Sequence, residues 1–371
     1  MAVPADIHSQ FKTLLTAAGF FCPSSTGICA IAGNCDGYAG GLPEFDISFK
    51  TSTGSFNIRI TSEVYLWEDL GNNQCSTLIA ENEESSAGFI LGDPFFRNST
   101  IMLDFEDKTI TLYDKYVNTP IIPEVWPEPD VSLTTTVEMN VTDKIIYSGN
   151  MSVGYDNVGD GKQGSAEISY NTRLTYSMVP SSVTSFGWFD TTGYDGYIDS
   201  GNSWVADLGY WSADCNNMTV DVCIDGDLCV ENLELCLIMV AAETPPESTY
   251  GVIGLGKPTS ILAPEQQDCF MQELYIQSNF TPMVTFKYFF AEDSEQSSVI
   301  FGYPPTRDLD LIANVNTYED YANIVKNGEW ALQVAGASWG YFPVDESSAY
   351  SNDVAIIASA YDFIALPSIF Y

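Results

Sequence analysis

Short apolar runs separated by Gly, Pro, Ser, Thr and Asn recur along the whole chain. Aromatic and β-branched residues are frequent in these runs, a pattern that favours strands and turns over long helices. The longest apolar stretch, residues 233–242, contains Glu234 and falls short of the ~18–20 residues that span a bilayer. We therefore predict an all-β protein with few short helices and no membrane span.

The composition narrows the classes of partner. The chain has 371 residues, enough to bury a large core, and we expect it to form two lobes. Its 50 acidic and 13 basic residues give a formal charge of −37. Because phosphate binding needs Lys and Arg, we exclude nucleic acid as a partner. The acidic surface is expected to be solvated and to oppose self-association at neutral pH.

Cysteines and glycosylation sequons indicate the compartment. Nine cysteines predict an oxidising environment, and we expect a secreted or secretory-lumen glycoprotein. Cys22 and Cys29 are close enough in sequence to close a local loop. Five further cysteines lie between residues 215 and 269, which is compatible with two bridges and a buried thiol, or with one intermolecular disulfide. The five Asn-X-Ser/Thr sequons begin at Asn98, Asn140, Asn150, Asn217 and Asn279.

Two apolar-Gly segments carry a family resemblance. FILGDPFF occupies residues 89–96, and GVIGLG occupies residues 251–256. With the C-terminal run at residues 355–367, these segments resemble those of pepsin-like aspartic proteases. The order of the segments matches the family only if the C-terminus is joined to the N-terminus, as in a circular permutation. FILGDPFF belongs near the C-terminus in that family, but here it ends the first third. The resemblance implies a bilobal fold that is circularly permuted or completed by a neighbouring subunit.

The same resemblance implies how the chain is divided. One C-terminal-type lobe combines residues 306–371 with residues 1–115, and residues 131–305 form the N-terminal-type lobe. Residues 116–130 contain four prolines and are expected to be a semi-rigid linker. Cys35 and Cys75 occupy the positions of the family's C-lobe disulfide, so the resemblance implies that they are paired.

The two active-site segments of the family have altered counterparts. Each segment normally carries an Asp-Thr/Ser-Gly turn. The matching positions hold Asn171, Thr172 and Arg173 in one segment, and Ala358, Ser359 and Ala360 in the other. Neither an amide nor a methyl group can act as a general base, and two of the substitutions remove glycines that permit tight turns. The resemblance therefore implies a pseudoenzyme without catalytic residues.

A third segment leaves an enzymatic alternative open. Residues 199–210 have the length and the Leu-Gly-Tyr ending of the family's flap hairpin, which puts Asp199 at the position of the flap tyrosine. Asp199-Ser200-Gly201 also fits the active-site pattern. An alternative hypothesis therefore pairs Asp199 with Asp362 as the carboxylates of an active endopeptidase.

These observations lead to an expected function. We expect a non-catalytic protein, without cofactor or metal site, that has a structural or assembly role. Residues 1–115 of one chain could complete residues 306–371 of the next, which would build a head-to-tail filament or repeat array. Its partners would then be copies of itself or other extracellular proteins. The alternative is a peptide or glycan binder that uses the cleft between the lobes.

Overall fold

The computed structural model of the chain is built mainly from β-strands. It describes residues 7–23, 28–51, 54–69, 73–82, 88–105, 109–114, 134–142, 146–154, 164–182, 184, 187, 189–190, 198–207, 212–225, 228–241, 251–257, 269–278, 280–289, 296–302, 310–316, 329–339, 354–359 and 364–367. The predicted linker, residues 116–130, lies outside these ranges. The prediction of a mostly β protein with few short helices is confirmed.

The described residues form 24 strands and four short helices. The strands are β1 Ala30–Ala32, β2 Phe45–Thr51, β3 Gly54–Ile60, β4 Leu66–Asp69, β5 Gln74–Thr77, β6 Ile79–Asn82, β7 Phe89–Leu91, β8 Ser99–Asp104, β9 Thr109–Asp114, β10 Thr135–Glu138, β11 Asn140–Thr142, β12 Ile146–Val153, β13 Gly164–Asn171, β14 Met178–Pro180, β15 Ile198–Asp207, β16 Ser212–Ile224, β17 Leu228–Ala241, β18 Val252–Gly254, β19 Met283–Lys287, β20 Ser298–Phe301, β21 Asp310–Asn316, β22 Ala331–Trp339, β23 Val354–Ile357 and β24 Ile364–Pro367. The helices are α1 Ile7–Ala17, α2 Ser62–Tyr65, α3 Asp93–Asn98 and α4 Phe270–Ser278.

Two large sheets share the same central arrangement. The eight-stranded sheet has the order β11-β12-β13-β18-β14-β17-β16-β15, and the seven-stranded sheet has the order β3-β2-β22-β23-β7-β24-β6. In the first, the pairs β13–β18, β18–β14 and β14–β17 are parallel, antiparallel and parallel. The pairs β23–β7, β7–β24 and β24–β6 repeat that sequence of directions. The apolar-Gly segments supply the equivalent strands β18 and β7.

The seven-stranded sheet combines both ends of the chain. Strands β6 and β7 come from the first third, whereas β22, β23 and β24 come from the last 41 residues of the 371-residue chain, which begin at Ala331. Strand β7 lies between β23 and β24 and pairs with both. The early apolar segment therefore completes a sheet that late segments begin, within one chain.

A six-stranded antiparallel sheet joins the two arrangements. Its order is β10-β20-β19-β8-β9-β21, with β19 paired to β8 at the centre. The first three strands belong to residues 131–305, and the last three belong to the segments on either side. The buried face of the sheet carries Ile101, Leu103, Val284 and Phe286 among its core residues, and full burial of each such side chain stabilises the fold by roughly 1.5–3 kcal/mol.

Aromatic side chains fill the junction beneath this sheet. Phe96 contacts Phe286 and Tyr288, with ring centroids 5.3 and 5.2 Å apart. Tyr147 stacks on Tyr288 at 4.0 Å. Arg97, which is fully buried on α3, donates from Nε to the Tyr147 hydroxyl at 2.9 Å. Residues 96 and 97 thus anchor the FILGDPFF segment against residues 131–305 of the chain.

Four disulfides cross-link the fold. They are Cys22–Cys29, Cys35–Cys75, Cys215–Cys236 and Cys223–Cys229, so they include both pairs expected from the sequence. Cys269 is the free cysteine of the nine, and it is buried. Of the two alternatives for the cysteines between residues 215 and 269, the structure has two bridges and a buried thiol. In the described part of the chain, none of the helices has the length and apolarity to cross a membrane.

Candidate functional site

Strands β13 and β23 hold equivalent positions in their two sheets, and the altered active-site segments follow them directly. Strand β13 ends at Asn171, and strand β23 ends at Ile357, one residue before Ala358. Each strand runs parallel to its apolar-Gly strand, and the chain then continues into a turn. The Leu255 N–H donates to the Asn171 carbonyl at 2.8 Å, and the Ala358 N–H donates to the Leu91 carbonyl at 2.9 Å. The sheet pairing therefore fixes both turns.

The two turns are interlocked by four reciprocal hydrogen bonds. The Thr172 N–H donates to Ser359 Oγ at 3.1 Å, and the Ser359 N–H donates to Thr172 Oγ1 at 3.0 Å. Thr172 Oγ1 donates to the carbonyl of Ile357 at 2.7 Å, and Ser359 Oγ donates to the carbonyl of Tyr170 at 2.5 Å. Each hydroxyl thus acts as both donor and acceptor across the junction. We call these four hydrogen bonds the interlock. They join residues that are more than 180 positions apart in the sequence.

The interlock lies next to the two positions where the resemblance expects catalytic aspartates. Asn171 and Ala358 lie directly before its two hydroxyl residues, and both are buried. Asn171 Oδ1 accepts a hydrogen bond from the Arg173 N–H at 2.8 Å. The Ala358 side chain is a methyl group, so the pair offers no carboxylate to activate water or to share a proton. Ala360 lies outside the described residues.

Arg173 adopts the turn without the backbone conformation that favours glycine. Among the described non-glycine residues, φ is positive at Asn73, Asp225 and Asn232, and Arg173 does not belong to this group. The turn at Arg173 therefore needs no glycine, because its backbone stays outside the left-handed region.

The Arg173 side chain forms a buried ion pair that sequence reasoning missed. Its Nε donates to Glu329 Oε1 at 2.5 Å, and the two side chains are 11% and 4% exposed. Glu329 precedes Trp330, which is fully buried, accepts at its carbonyl from the Ile357 N–H, and donates from Nε1 to the Leu255 carbonyl at 2.8 Å. The sequence feature that could have predicted this ion pair is Arg173 itself, because a guanidinium in a buried turn needs a carboxylate partner.

Tyr170, which precedes Asn171, contributes a further buried polar group. Its hydroxyl has no hydrogen-bond partner and lies in a pocket where Gly149 leaves room, since a Cβ at that glycine would be 2.5 Å from the phenolic oxygen. Burial raises the pKa of Tyr170 well above its ordinary value, with a smaller contribution from Asp225. The phenol therefore stays neutral.

Asp199 lies in a long antiparallel strand pair. Residues 198–207 form strand β15, which pairs with β16 as far as Asp207 and Ser212. Asp199 pairs with Met218, next to an irregularity of register between Asp199 and Ser203, where Gly201 has a φ of +72°. The Asp-Ser-Gly string thus lies at a β-bulge, and the assignment of Asp199 to the flap stays a prediction. The Asp199 side chain and Asp362 lie outside what the structure describes.

The sequons differ in their surroundings. Asn140 and Asn150 are exposed, and Asn98 is half-buried. Asn217 is 1% exposed, and its amide accepts from Trp204 Nε1 and donates to Glu234. A sugar at Nδ2 would have to displace this packing, so we expect no glycan at Asn217. Asn279 lies outside the described residues.

The interlock leads to a stability prediction. Ser359→Ala should lower the free energy of unfolding by about 1–3 kcal/mol, because it leaves the buried Thr172 N–H without its acceptor. Ser169→Ala is the matched control. Its hydroxyl is buried two residues before Asn171 and has no hydrogen-bond partner, so its loss should change the free energy by less than about 0.5 kcal/mol. Urea unfolding of both variants measures the difference, and equal effects would contradict the prediction.

No family model and no curated protein matches this sequence. Among the described residues, no group of three or more His, Cys, Asp or Glu side chains is arranged to hold a metal ion.

Proposed function

We propose that this chain is a non-catalytic, pepsin-like extracellular glycoprotein with a structural or assembly role. The pepsin-like resemblance is supported by the fold in one specific way. The eight- and seven-stranded sheets repeat the same parallel–antiparallel–parallel centre, and the six-stranded sheet takes three strands from each half. Two lobes joined by a common sheet account for this pattern.

The cyclic order of the chain is supported by the seven-stranded sheet. Strand β7 carries the FILGDPFF segment and sits between β23 and β24, which come from the opposite end of the chain. In this structure one chain supplies all of these strands. The same strands are the ones that a neighbouring copy would supply in a head-to-tail assembly, since exchange preserves every pairing.

A single observation supports the proposed loss of catalysis. The interlock of Thr172 and Ser359 holds Asn171 and Ala358 where the resemblance expects two aspartates. The scaffold for a dyad is kept while both carboxylates are replaced. The nearby carboxylate of Glu329 is engaged by Arg173, so it does not restore a base. Selection for a stable fold, without selection for hydrolysis, explains this combination.

The compartment is supported by the cysteines. Four disulfides among nine cysteines are typical of proteins that fold in an oxidising environment. Two exposed sequons on one hairpin favour the same location. The high negative charge favours a solvated protein in that environment.

We expect the purified protein to hydrolyse neither protein nor peptide substrates at acidic or neutral pH, because no carboxylate pair is available at the interlock. Asp199→Ala should leave that result unchanged. The measurement is cleavage of a denatured protein and of a fluorogenic peptide library, with pepsin as the positive control. Cleavage that disappears in Asp199→Ala would instead support the active endopeptidase.

The same preparation separates the two non-catalytic alternatives. Light scattering across pH and protein concentration should reveal assembly beyond the monomer, whereas a strictly monomeric protein would contradict the assembly role. A statine-type inhibitor or a peptide pool should leave the melting temperature unchanged. A concentration-dependent rise in melting temperature would favour binding in the cleft between the lobes.

A further inference from the structure

Among the strands that the structure describes, residues 135–142 form the outer strand of two sheets in succession. Strand β10 is the first strand of the six-stranded sheet, and β11 is the first strand of the eight-stranded sheet. Met139 lies between them and donates its N–H to the Ser297 carbonyl at 2.9 Å. Such an edge presents backbone N–H and C=O groups to which a strand of another molecule can pair.

The side chains along this edge alternate between core and solvent. Val137 and Met139 are buried, whereas Thr136, Glu138 and Asn140 are exposed. The segment is thus a regular edge strand, and this regularity favours pairing with a strand of another molecule. The negative charge of Glu138 disfavours such pairing. Asn140 begins the sequon Asn140-Val141-Thr142, so the strongest protection would be a sugar at this point.

The Asn140 amide is positioned to carry a glycan without loss of its contact. Its Nδ2 donates to Glu167 Oε1 at 3.1 Å, in an exposed position. N-glycosylation replaces one of the two N–H groups of the amide, and the other can still donate to Glu167. Asn217 differs in kind, because its Nδ2 is enclosed by the protein.

We propose that Asn140 carries an N-linked glycan that prevents strand addition along the edge formed by residues 135–142. A branched, hydrated glycan is far bulkier than the 4.7–4.9 Å spacing between neighbouring strands, so it hinders a second chain from pairing alongside β11. The proposal rests on the secretory location in the proposed function, but it does not depend on the absence of catalysis. It also implies that any assembly of this chain uses surfaces other than this edge.

Asn150 provides a matched control on the same hairpin. It lies opposite Glu167 on the same face of the sheet as Asn140, because Asn140 pairs with Ser148 and Asn150 pairs with Glu167. Its backbone is in the sheet interior, where its carbonyl accepts from the Asp225 N–H at 3.0 Å. A glycan at Asn150 covers the face of the sheet but guards no edge. Loss of either glycan removes similar mass and solubility, and only one exposes β11.

The experiment uses full-length protein secreted from a cell line that performs N-glycosylation. Peptide mass spectrometry should detect occupancy at Asn140 and none at Asn217. Asn140→Gln and Thr142→Val, which remove the sequon in two independent ways, should aggregate severalfold faster on prolonged incubation, as followed by light scattering and thioflavin fluorescence. Asn150→Gln should aggregate at the wild-type rate.

Three results would overturn the proposal. They are an unmodified Asn140, aggregation of Asn150→Gln equal to that of Asn140→Gln, and wild-type behaviour of both edge variants. Melting temperatures distinguish loss of shielding from loss of folding, since the proposal expects Asn140→Gln and Thr142→Val to melt as the wild type does. The peptidase assay is independent, so failure here leaves the non-catalytic assignment standing, and the reverse also holds.

Discussion

Glu329→Gln should lower the free energy of unfolding by about 3–5 kcal/mol, the range for removing one partner of a buried ion pair. Glutamine keeps the shape of the side chain and can still accept from Arg173, so the loss reports the removal of the carboxylate charge and not a cavity. Both side chains are almost fully buried, and solvent therefore cannot replace the lost charge. Urea unfolding at neutral pH measures the difference.

Two further variants make this prediction specific. Asp46→Asn removes one partner of Arg59, a cation that is 61% exposed and that also contacts Glu44. Its effect should stay below about 1 kcal/mol, because exposed pairs are screened by water. The double variant Arg173→Met/Glu329→Leu should recover most of the lost stability, since it removes both charges. An effect of Glu329→Gln no larger than that of Asp46→Asn would show that the ion pair is solvated.

Gly254→Ala should destabilise the protein by about 3 kcal/mol or more, the upper part of the range for forcing extra atoms into a packed core. A Cβ at Gly254 would lie 2.3 Å from the Tyr176 carbonyl oxygen and 2.6 Å from its carbon. Both are backbone atoms of the neighbouring loop, so no side-chain rotation can relieve the contact. Because Gly254 pairs with Asn171, the displacement would also reach the interlock.

The control for this variant is Gly336→Ala. Gly336 is also buried within a strand, but a Cβ there would meet nothing within 4 Å. The substitution should therefore change the free energy of unfolding by less than about 1 kcal/mol. Thermal and urea unfolding of both variants provide the test. If Gly254→Ala unfolds as Gly336→Ala does, the close approach of strand β18 to the backbone of Tyr176 is not a property of the protein in solution.

The motifs that could be predicted from the sequence are local ones. FILGDPFF and GVIGLG form strands β7 and β18 because a short apolar run that ends in glycine satisfies a buried strand and a close backbone contact together. The pairing of Cys22 with Cys29 follows from a separation of seven residues. The identities of Asn171 and Ala358 are equally local facts, and they leave no carboxylate at these two positions whatever the fold.

Residues 199–201 and Asn217 show what a three-residue sequence pattern leaves out. The Asp-Ser-Gly string at residues 199–201 satisfies a three-residue pattern, but the register of β15 against β16 makes it a bulge. A sequon is likewise a three-residue pattern, and it contains no information on burial. Asn217 is enclosed because Trp204 and Glu234, on neighbouring strands, take both ends of its amide.

Residue types and their spacing were enough to predict a mostly β chain, an acidic surface, the local disulfide and the absence of carboxylates at the two altered turns. Each of these depends on residue identity or on a period of two along a strand. Three features came from the fold alone: Thr172 interlocks with Ser359, Arg173 meets Glu329, and residues 135–142 lie at the edge of two sheets among the described strands. Those contacts join residues 156 to 187 positions apart. No local pattern encodes them, because the sheet pairing of the whole chain brings them together.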